Sequence, residues 1–338
     1  MNVLVTGAFG NVGRSTVDEL LRQSHSVRCL DLKTPSNKRA ARKLNGLAEV
    51  VWGDLRNPEE MAAAVCDQDA IVHLAFIIPK LSATGVECES HPTWAEEINV
   101  GGTRNLLQAA QTLAKPPKII FTSSVHVFGR TQHRLPPRRA SDPVQAVEHY
   151  SRHKLRCEEM VKGSGLEWSI FRMAATLPIT LILDPGMFDV PLRNRIEFMH
   201  TRDLGLALAN GVASPDIWGK LLLVGGGPRC QYLYREVAEA VLEGMGVGML
   251  PDEAFGHTPF CVDWMDTTES QQLLHYQQRD LSDYIADMRK LLGFRRLLVR
   301  MFRPFVRMWL RGKSPYASPP RTWWWGWWRR APQPGRAG

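Results

Sequence analysis

The 338-residue sequence predicts a doubly wound α/β fold, a parallel sheet covered by helices on both faces, followed by a small C-terminal lobe and a basic amphipathic tail. Three observations predict it. From Met1 to Val125, short continuous Val/Ile/Leu runs alternate with helix-like segments, the pattern of strands buried on both faces. A glycine-rich turn joins the first of those runs to a helix. Basic and aromatic residues collect at the C-terminal end, where from Met288 on there are thirteen Lys and Arg, no Asp or Glu, and six of the eleven Trp. The formal charge of +8 therefore resides in the tail, and the rest of the chain, with 29 basic and 34 acidic residues, carries −5.

In chain order, "MNVLVTG" is a buried strand, "GRSTVDELLRQ" a helix and "SVRCLDL" a second strand. "AEVVWGDL" is a third strand, "PEEMAAAVC" a helix, "AIVHLAF" a fourth strand, "EINVGGTRNLLQAAQTL" one long helix and "PKIIFTSSV" a fifth strand. "SRHKLRCEEMVKGSG" is a helix closed by glycine, and "EWSIFRM" is strand six. After Ala174 the pattern loosens. "RIEFMHTRDLGLALANGV" and "KLLLVGGG" resume strand–helix–strand, and "YREVAEAVLEGMG", "TTESQQLLHYQ" and "LSDYIADMRKLL" are helices. The expected division is a cofactor domain over 1–173 with its sheet completed near 227, an interleaved substrate lobe over 174–293, and a tail over 294–338. No apolar run of the length needed to span a bilayer is present, and the N-terminus enters a strand with no basic flank, so neither a membrane span nor a signal peptide is expected. Cys29, Cys66, Cys88, Cys157, Cys230 and Cys261 lack paired spacing, which fits reduced thiols in the cytoplasm and neither a disulfide framework nor a zinc site.

"VLVTGAFGNVGRSTVDELL" places Gly7, Gly10 and Gly13 between strand one and a helix. Glycine there lets a pyrophosphate approach bare backbone, and the helix N-terminus offers unpaired N–H groups. The reading is a dinucleotide site of Rossmann type, with Phe9, Asn11 and Val12 in the same turn and Leu55, Leu74 and Ala75 at the ends of strands three and four. Asp31 ends strand two, where a carboxylate accepts from ribose hydroxyls and repels a 2′-phosphate. That favours NAD over NADP, although Lys33 lies two residues on. Asp54 in "WGDLRN" either caps the following segment or contacts adenine. His73 is equally a packed core histidine or a ligand contact.

"HYSRHK" sets Tyr150 and Lys154 one helical turn apart, on one face. Alone, that pair decides nothing. Together, "TGAFGNVG", "GDLRN", "HLAF", "NVGGTRNLLQAA", "FTSSVHVFG", "YSRHK" and "WSIFRM" resemble the extended branch of the short-chain dehydrogenase/reductase superfamily, its NAD-dependent epimerases and dehydratases. The likeness runs from residue 1 to about 175, and more weakly through "FMHTRDLGLALA" and "VGGG". It implies that Tyr150 is the acid/base, that Lys154 lowers its pKa and also contacts the cofactor, that Ser124 rather than Ser123 holds the substrate oxygen, and that Asn99 supports Lys154. Chemistry agrees with the carry-over. A phenol titrates near ~10, and a neighbouring ammonium, with the charge of oxidised nicotinamide, brings it toward neutrality.

Departures from the pattern narrow the expectation. The nucleotide-sugar dehydratases carry an Asp–Glu pair directly after the Ser/Thr, where this chain has Val125 and His126, which argues against a dehydratase. His126 is a structural strand-end residue or an acid. Phe128 replaces the usual Tyr. The segment Ala174–Arg195 is short for a nucleotide-sugar enzyme, and Arg193 and Arg195 are either anion ligands or a solvated pair. Asp203 is expected to cap the helix that follows it. The implied function is NAD-dependent hydride transfer at a carbinol or carbonyl carbon, by a sugar-type 4-epimerase or a dehydrogenase of a lipid-like alcohol. A non-catalytic NAD-binding scaffold at a membrane is the alternative from another class. A homodimer is allowed by this reading, and no metal is implied.

In the tail, Arg296, Arg300, Arg303, Arg307 and Arg311 line one face of a helix that Pro304 would kink, with Leu298, Phe302, Phe305, Met308 and Trp309 around the rest. A basic face opposite an aromatic one suits a membrane interface with Arg at the headgroups, and "RTWWWGWWRR" adds the interfacial residue type. Docking on the enzyme body or on a second subunit competes with that reading. Nucleic-acid binding is not expected, since no binding fold accompanies the charge.

Overall fold

The structure, a computed structural model, describes residues 1–79, 85–180 and 184–317. The Trp-rich stretch after Tyr316 therefore lies outside the described residues. Seven parallel strands form the main sheet: β1 (Asn2–Thr6), β2 (Ser26–Asp31), β3 (Glu49–Trp52), β4 (Ala70–His73), β5 (Lys118–Ser124), β6 (Trp168–Met173) and β9 (Leu221–Val224), in the order β3-β2-β1-β4-β5-β6-β9. Strand order reverses between β1 and β4, which opens a crevice at their C-terminal ends. Thr6 pairs with both Leu30 and His73, so that crevice is floored by the ends of three strands.

Val3 and Val5 point into one core with β2 and α1 (Asn11–Arg22), while Leu4 points into the other with α3 (Pro58–Val65) and α5 (Gly102–Gln111). Successive side chains of a strand face opposite sides, so a sheet buried twice needs an unbroken apolar run. On the first face α1 packs against α7 (Thr201–Ala213). A Cβ at Gly205 would lie 2.5 Å from the Ser15 carbonyl carbon, so only glycine permits that approach.

A three-stranded sheet, ordered β10-β8-β7, carries the lobe: β7 (Ala175–Thr176), β8 (Arg195–Met199) and β10 (Gln231–Leu233). α8 (Tyr234–Met245) packs on β10 and against α10 (Leu281–Leu292), while α9 (Thr268–Leu274) lies against β9 and α7. The tail forms α11 (Arg295–Met301) and α12 (Arg303–Arg311), with Pro304 in the first turn of α12.

Four features differ from the sequence expectations. A further helix, α2 (Pro35–Arg42), follows β2, and the Thr34 hydroxyl accepts from Asn37 N to cap it. The long helix starts earlier, as α4 (Pro92–Glu96), and is interrupted by a π-turn at Glu97–Gly101 before α5. Asp203 does not cap α7. The cap is His200, whose Nδ1 accepts from Arg202 N at 3.1 Å, while buried Asp203 accepts from Gln278 N and Arg279 N at 2.8 and 2.7 Å and so ties down a remote segment. The tail arginines do not all face away from the body: Arg296 Nε donates to Gly244 O in the last turn of α8 and Arg303 Nε to Val247 O, two residues past that helix. Among the described residues, no helix is long and apolar enough to cross a membrane.

Candidate active site

The glycine turn is built for close contact. Gly7 has φ +67° and abuts Ala75, and a Cβ on Gly13 would sit 2.2 Å from Gly7 O. A cradle this tight leaves bare backbone at the start of α1, which fits a pyrophosphate. Asp31 Oδ2 accepts from Phe9 N at 2.9 Å, and its Oδ1 accepts from Leu32 N and Asn37 Nδ2. Burial raises the Asp31 carboxyl, and the donors beside it oppose that rise. Phe9 packs on Trp52, and Asn11 begins α1. Leu55 is buried against Gly102, where a Cβ would come within 2.5 Å of it. Asp54 accepts from Arg56 N and pairs with the Arg56 guanidinium at 2.6 Å, so it closes the turn after β3 and leaves the capping of α3 to Asn57.

The ends of β1 and β4 are tied by one hydroxyl. Thr6 Oγ1 accepts from Leu74 N and Ala75 N, both at 3.1 Å, and contacts His73 Nδ1 at 2.7 Å. His73 Nε2 contacts Thr103 Oγ1 at 2.9 Å. Burial pushes the His73 pKa down to about 3, so the ring is neutral and bonded at both nitrogens. It is a packed core histidine.

Tyr150, Lys154 and Ser124 converge. α6 (His149–Lys162) presents Tyr150 and Lys154 toward the end of β5, and Ser124 and Tyr150 line one cavity with Val12 and His126. Ser123 points the other way and donates to Glu158 Oε1 at 2.5 Å, in a buried network closed by Arg172. Lys154 Nζ donates to Thr122 O at 2.6 Å, stands 3.5 Å from the Phe76 ring centre and 5.8 Å from that of Tyr150. Burial pulls Lys154 down from its ordinary value to about 7 and pushes the Tyr150 phenol well above the usual range, against a hydrogen bond from Ser124. The expected lowering of the phenol by Lys154 does not act here: burial dominates, the Ser124 hydrogen bond opposes it, and the nearby Glu148 charge adds to the rise. A phenol held protonated can give a proton to a carbonyl oxygen. Taking one from an alcohol requires positive charge nearby, and Lys154, poised near neutrality, supplies it when protonated.

Asn99 sits in the π-turn with its side chain spent on backbone: Oδ1 accepts from Ile77 N at 2.6 Å, and Nδ2 donates to Ile77 O at 3.0 Å. It fixes the backbone that follows β4, one residue past Phe76, whose ring lies against Lys154. A π-turn leaves a local mismatch in the helical ladder and recurs at functional sites.

Two groups beside Tyr150 were not singled out by sequence as a unit. His126 Nδ1 contacts Glu148 Oε2 at 2.7 Å, and its ring meets that of Tyr150 edge-on at 5.7 Å. Burial acts to raise Glu148, but the hydrogen bond and charge of His126, with Arg130, hold its carboxyl below the usual range. Glu89 is the second group. Its carboxylate accepts from Tyr150 N at 2.8 Å and His149 N at 3.1 Å, pinning the helix end that carries the phenol. Glu89 reaches α6 from a loop 60 residues upstream, which no local pattern reveals.

The cavity holds about 590 Å³ and runs from Val12 and Tyr150 past Met187, Phe198 and Leu242 to Leu310 of α12. Its described lining is mostly apolar. The charged residues in it are the carboxylates Glu87, Glu89, Glu148, Asp184 and Asp189, and none of the described lining residues is Lys or Arg. Arg195 is committed elsewhere, with Nε 2.7 Å from Asp263 Oδ1, and Arg193 is exposed outside the cavity.

Residues 3–178 match the NAD dependent epimerase/dehydratase family. The chain belongs to that family. Its cofactor is NAD, and the glycine turn, Asp31 and the crevice are where this chain would hold it. A 3-beta-hydroxysteroid dehydrogenase from Mycolicibacterium neoaurum is 38% identical over 122 residues, 36% of this chain and 31% of that protein. A bifunctional UDP-glucose 4-epimerase and UDP-xylose 4-epimerase of Arabidopsis thaliana is 31% identical over 193 residues, 53% of this chain and 52% of the other. The chain thus spans about a third to a half of the length of these relatives. A short-chain dehydrogenase/reductase superfamily protein from Agrobacterium tumefaciens, solved with bound NAD, has the same fold, with a TM-score of 0.71 at 21% identity over 90% of this chain and 100% of that one.

Proposed function

We propose that the chain is an NAD-dependent dehydrogenase of an apolar secondary alcohol, of the size and polarity of a sterol or isoprenoid. One observation carries the reading: the described cavity beside Tyr150 is apolar, bears five carboxylates and offers no Lys or Arg. A nucleotide-sugar diphosphate would have to shed water against a described lining that offers no Lys or Arg and carries carboxylates, at a cost of several kcal/mol. A hydrocarbon skeleton with one hydroxyl gains from the same lining, roughly 25 cal/mol per Å² buried. In this reading Ser124 holds the alcohol oxygen, Tyr150 takes its proton, and protonated Lys154 stabilises the phenolate that results. NAD, when bound, supplies the hydride acceptor. His126 and Glu148 fix the Tyr150 ring from its edge.

A sugar-type 4-epimerase is the second reading, favoured by the longer stretch shared with the plant 4-epimerase. The enzyme would work in the cytoplasm, peripheral to a membrane that holds its substrate, and the reading is compatible with a homodimer. The test is nicotinamide absorbance of the purified protein with NAD, against hydroxysteroids, isoprenoid alcohols and nucleotide sugars, with Tyr150→Phe beside the parent. Steady NADH release with a lipid alcohol, lost by about two to four orders of magnitude in Tyr150→Phe, is the expected result. NADH held without release, and only with a nucleotide sugar, would overturn it in favour of the epimerase. NAD binding with no turnover on any alcohol would favour the scaffold.

A further inference from the structure

The tail helices are oriented apolar side out. Phe294, Leu297, Met301, Phe302, Phe305 and Trp309 are each half-exposed or more, Phe294 reaching 73%. Val299, Val306, Leu310 and the stems of Arg296 and Arg303 face the body. Arg296 donates to Gly244 O in the last turn of α8, where a helix leaves acceptors unpaired and carries its negative dipole end, and Arg303 donates to Val247 O, two residues past that helix. Arg303 also pairs with Glu243 at 2.8 Å. Just beyond α12, Ser314 Oγ donates to Ala254 O at 2.6 Å and Tyr316 Oη to Asp189 Oδ1 at 3.0 Å. The pair is therefore fixed at both ends, with a contiguous hydrocarbon surface left facing outward. Surfaces of that kind mark a contact with something apolar.

We infer that this face is a docking surface for an anionic lipid bilayer, across which the cavity receives its alcohol; the second half rests on the apolar-alcohol reading. Charge selects the occupant. Arg289, Lys290, Arg295, Arg300 and Lys313 are exposed around the apolar face, and from Met288 to the end the sequence has no acid. A hydrocarbon face rimmed by cations matches acyl chains below anionic headgroups. The sequence continues from the end of α12 into "RTWWWGWWRR", the residue types of the same interface. Two-fold pairing of this face with its own copy would instead set the cation rims against each other. Position links the surface to the chemistry. Leu310, on the inner side of α12, is 5% exposed and forms the far wall of the cavity that begins at Tyr150. The outer side of that one helix meets the bilayer and its inner side meets the substrate.

The experiment is flotation of the full chain with vesicles of phosphatidylglycerol and phosphatidylcholine, and with phosphatidylcholine alone, beside the double variant Phe305→Glu/Trp309→Glu. Both positions are exposed, so the fold is kept, which unchanged NAD affinity verifies. The parent should float with the anionic vesicles, and the variant's lipid partition should fall about tenfold or more. Turnover of an alcohol embedded in the vesicles should fall with it, while turnover of the same alcohol carried by cyclodextrin should not. A parent that stays in solution overturns the inference. So does a variant that floats like the parent, which would assign binding to the Trp-rich end alone, or a parent dimer by light scattering that the variant splits, which would make a second copy the occupant. Flotation reads docking without turnover. A chain that floats but oxidises no lipid alcohol sinks the proposed function alone, and one that oxidises the carried alcohol without floating sinks the docking alone.

Discussion

Replacing Lys154 by Met should stabilise the protein at neutral pH while removing its turnover. The ammonium is buried, donates to Thr122 O as its one hydrogen bond among the described residues, and has aromatic rings around it, and its pKa falls from 10.5 to about 7. With the folded group half protonated at pH 7, that gap corresponds to roughly 4 kcal/mol against folding. Losing the Thr122 hydrogen bond returns about 1 kcal/mol. The net expectation is a gain of about 3 kcal/mol. Its pH dependence is the diagnostic part. Because the folded pKa lies below the unfolded one, the unfolded parent binds the extra proton between about 7 and 10.5, and parental stability rises with pH across that window. Methionine has no such dependence, so the two unfolding free energies should converge by about 1.4 kcal/mol per pH unit. Urea unfolding of both proteins at pH 7, 8 and 9, followed by Trp fluorescence, reads it directly. Parallel pH dependences, or a variant less stable than the parent at pH 7, would refute the claim that burial holds this lysine near neutrality.

Gly13→Ala should weaken NAD binding more than tenfold in a fluorescence titration, since the new Cβ would meet Gly7 O at 2.2 Å and push the turn apart where the phosphates would lie. Glu158→Ala leaves Arg172 buried without its carboxylate and should cost about 3–5 kcal/mol by chemical denaturation. Glu89→Ala frees the first N–H groups of α6, should cost about 1 kcal/mol, and should lower kcat more than it raises KM by loosening the helix end that carries Tyr150. An unchanged kcat would mean that Glu89 serves only stability.

The strands were legible because a twice-buried sheet demands unbroken apolar runs, and β1 to β6 have them. The glycine turn was legible because its backbone requirements exclude side chains. His73 was not, since both of its readings use the same letter. Only Thr6 and Thr103, brought to its two nitrogens by different elements, distinguish them. The π-turn was hidden because one inserted residue leaves the helical period almost intact, and what holds Asn99 is the backbone of Ile77, 22 residues away. Asp203 was placed ahead of the helix as its cap, whereas it lies within α7 and its donors come from Gln278 and Arg279. The tail periodicity showed two faces. Which one turns inward was decided by the free carbonyls at the end of α8, a feature of another helix. The pairing of Tyr150 with Lys154 came from local spacing, whereas the balance of desolvation and charge on them depends on everything packed around α6.

The sequence divides near residue 174, but the sheet does not. β9 pairs with β6 after the chain has left to build β7, β8 and α7, and α7 returns to lie on α1 with the close Gly205–Ser15 contact. A fragment ending at Met173 would expose the bare edge of β6 and the uncovered side of α1, an invitation to intermolecular strand pairing. The two halves must therefore melt together, in one cooperative transition. A sequence change in the lobe that loosens α7 will reach the cofactor turn without touching a residue of it.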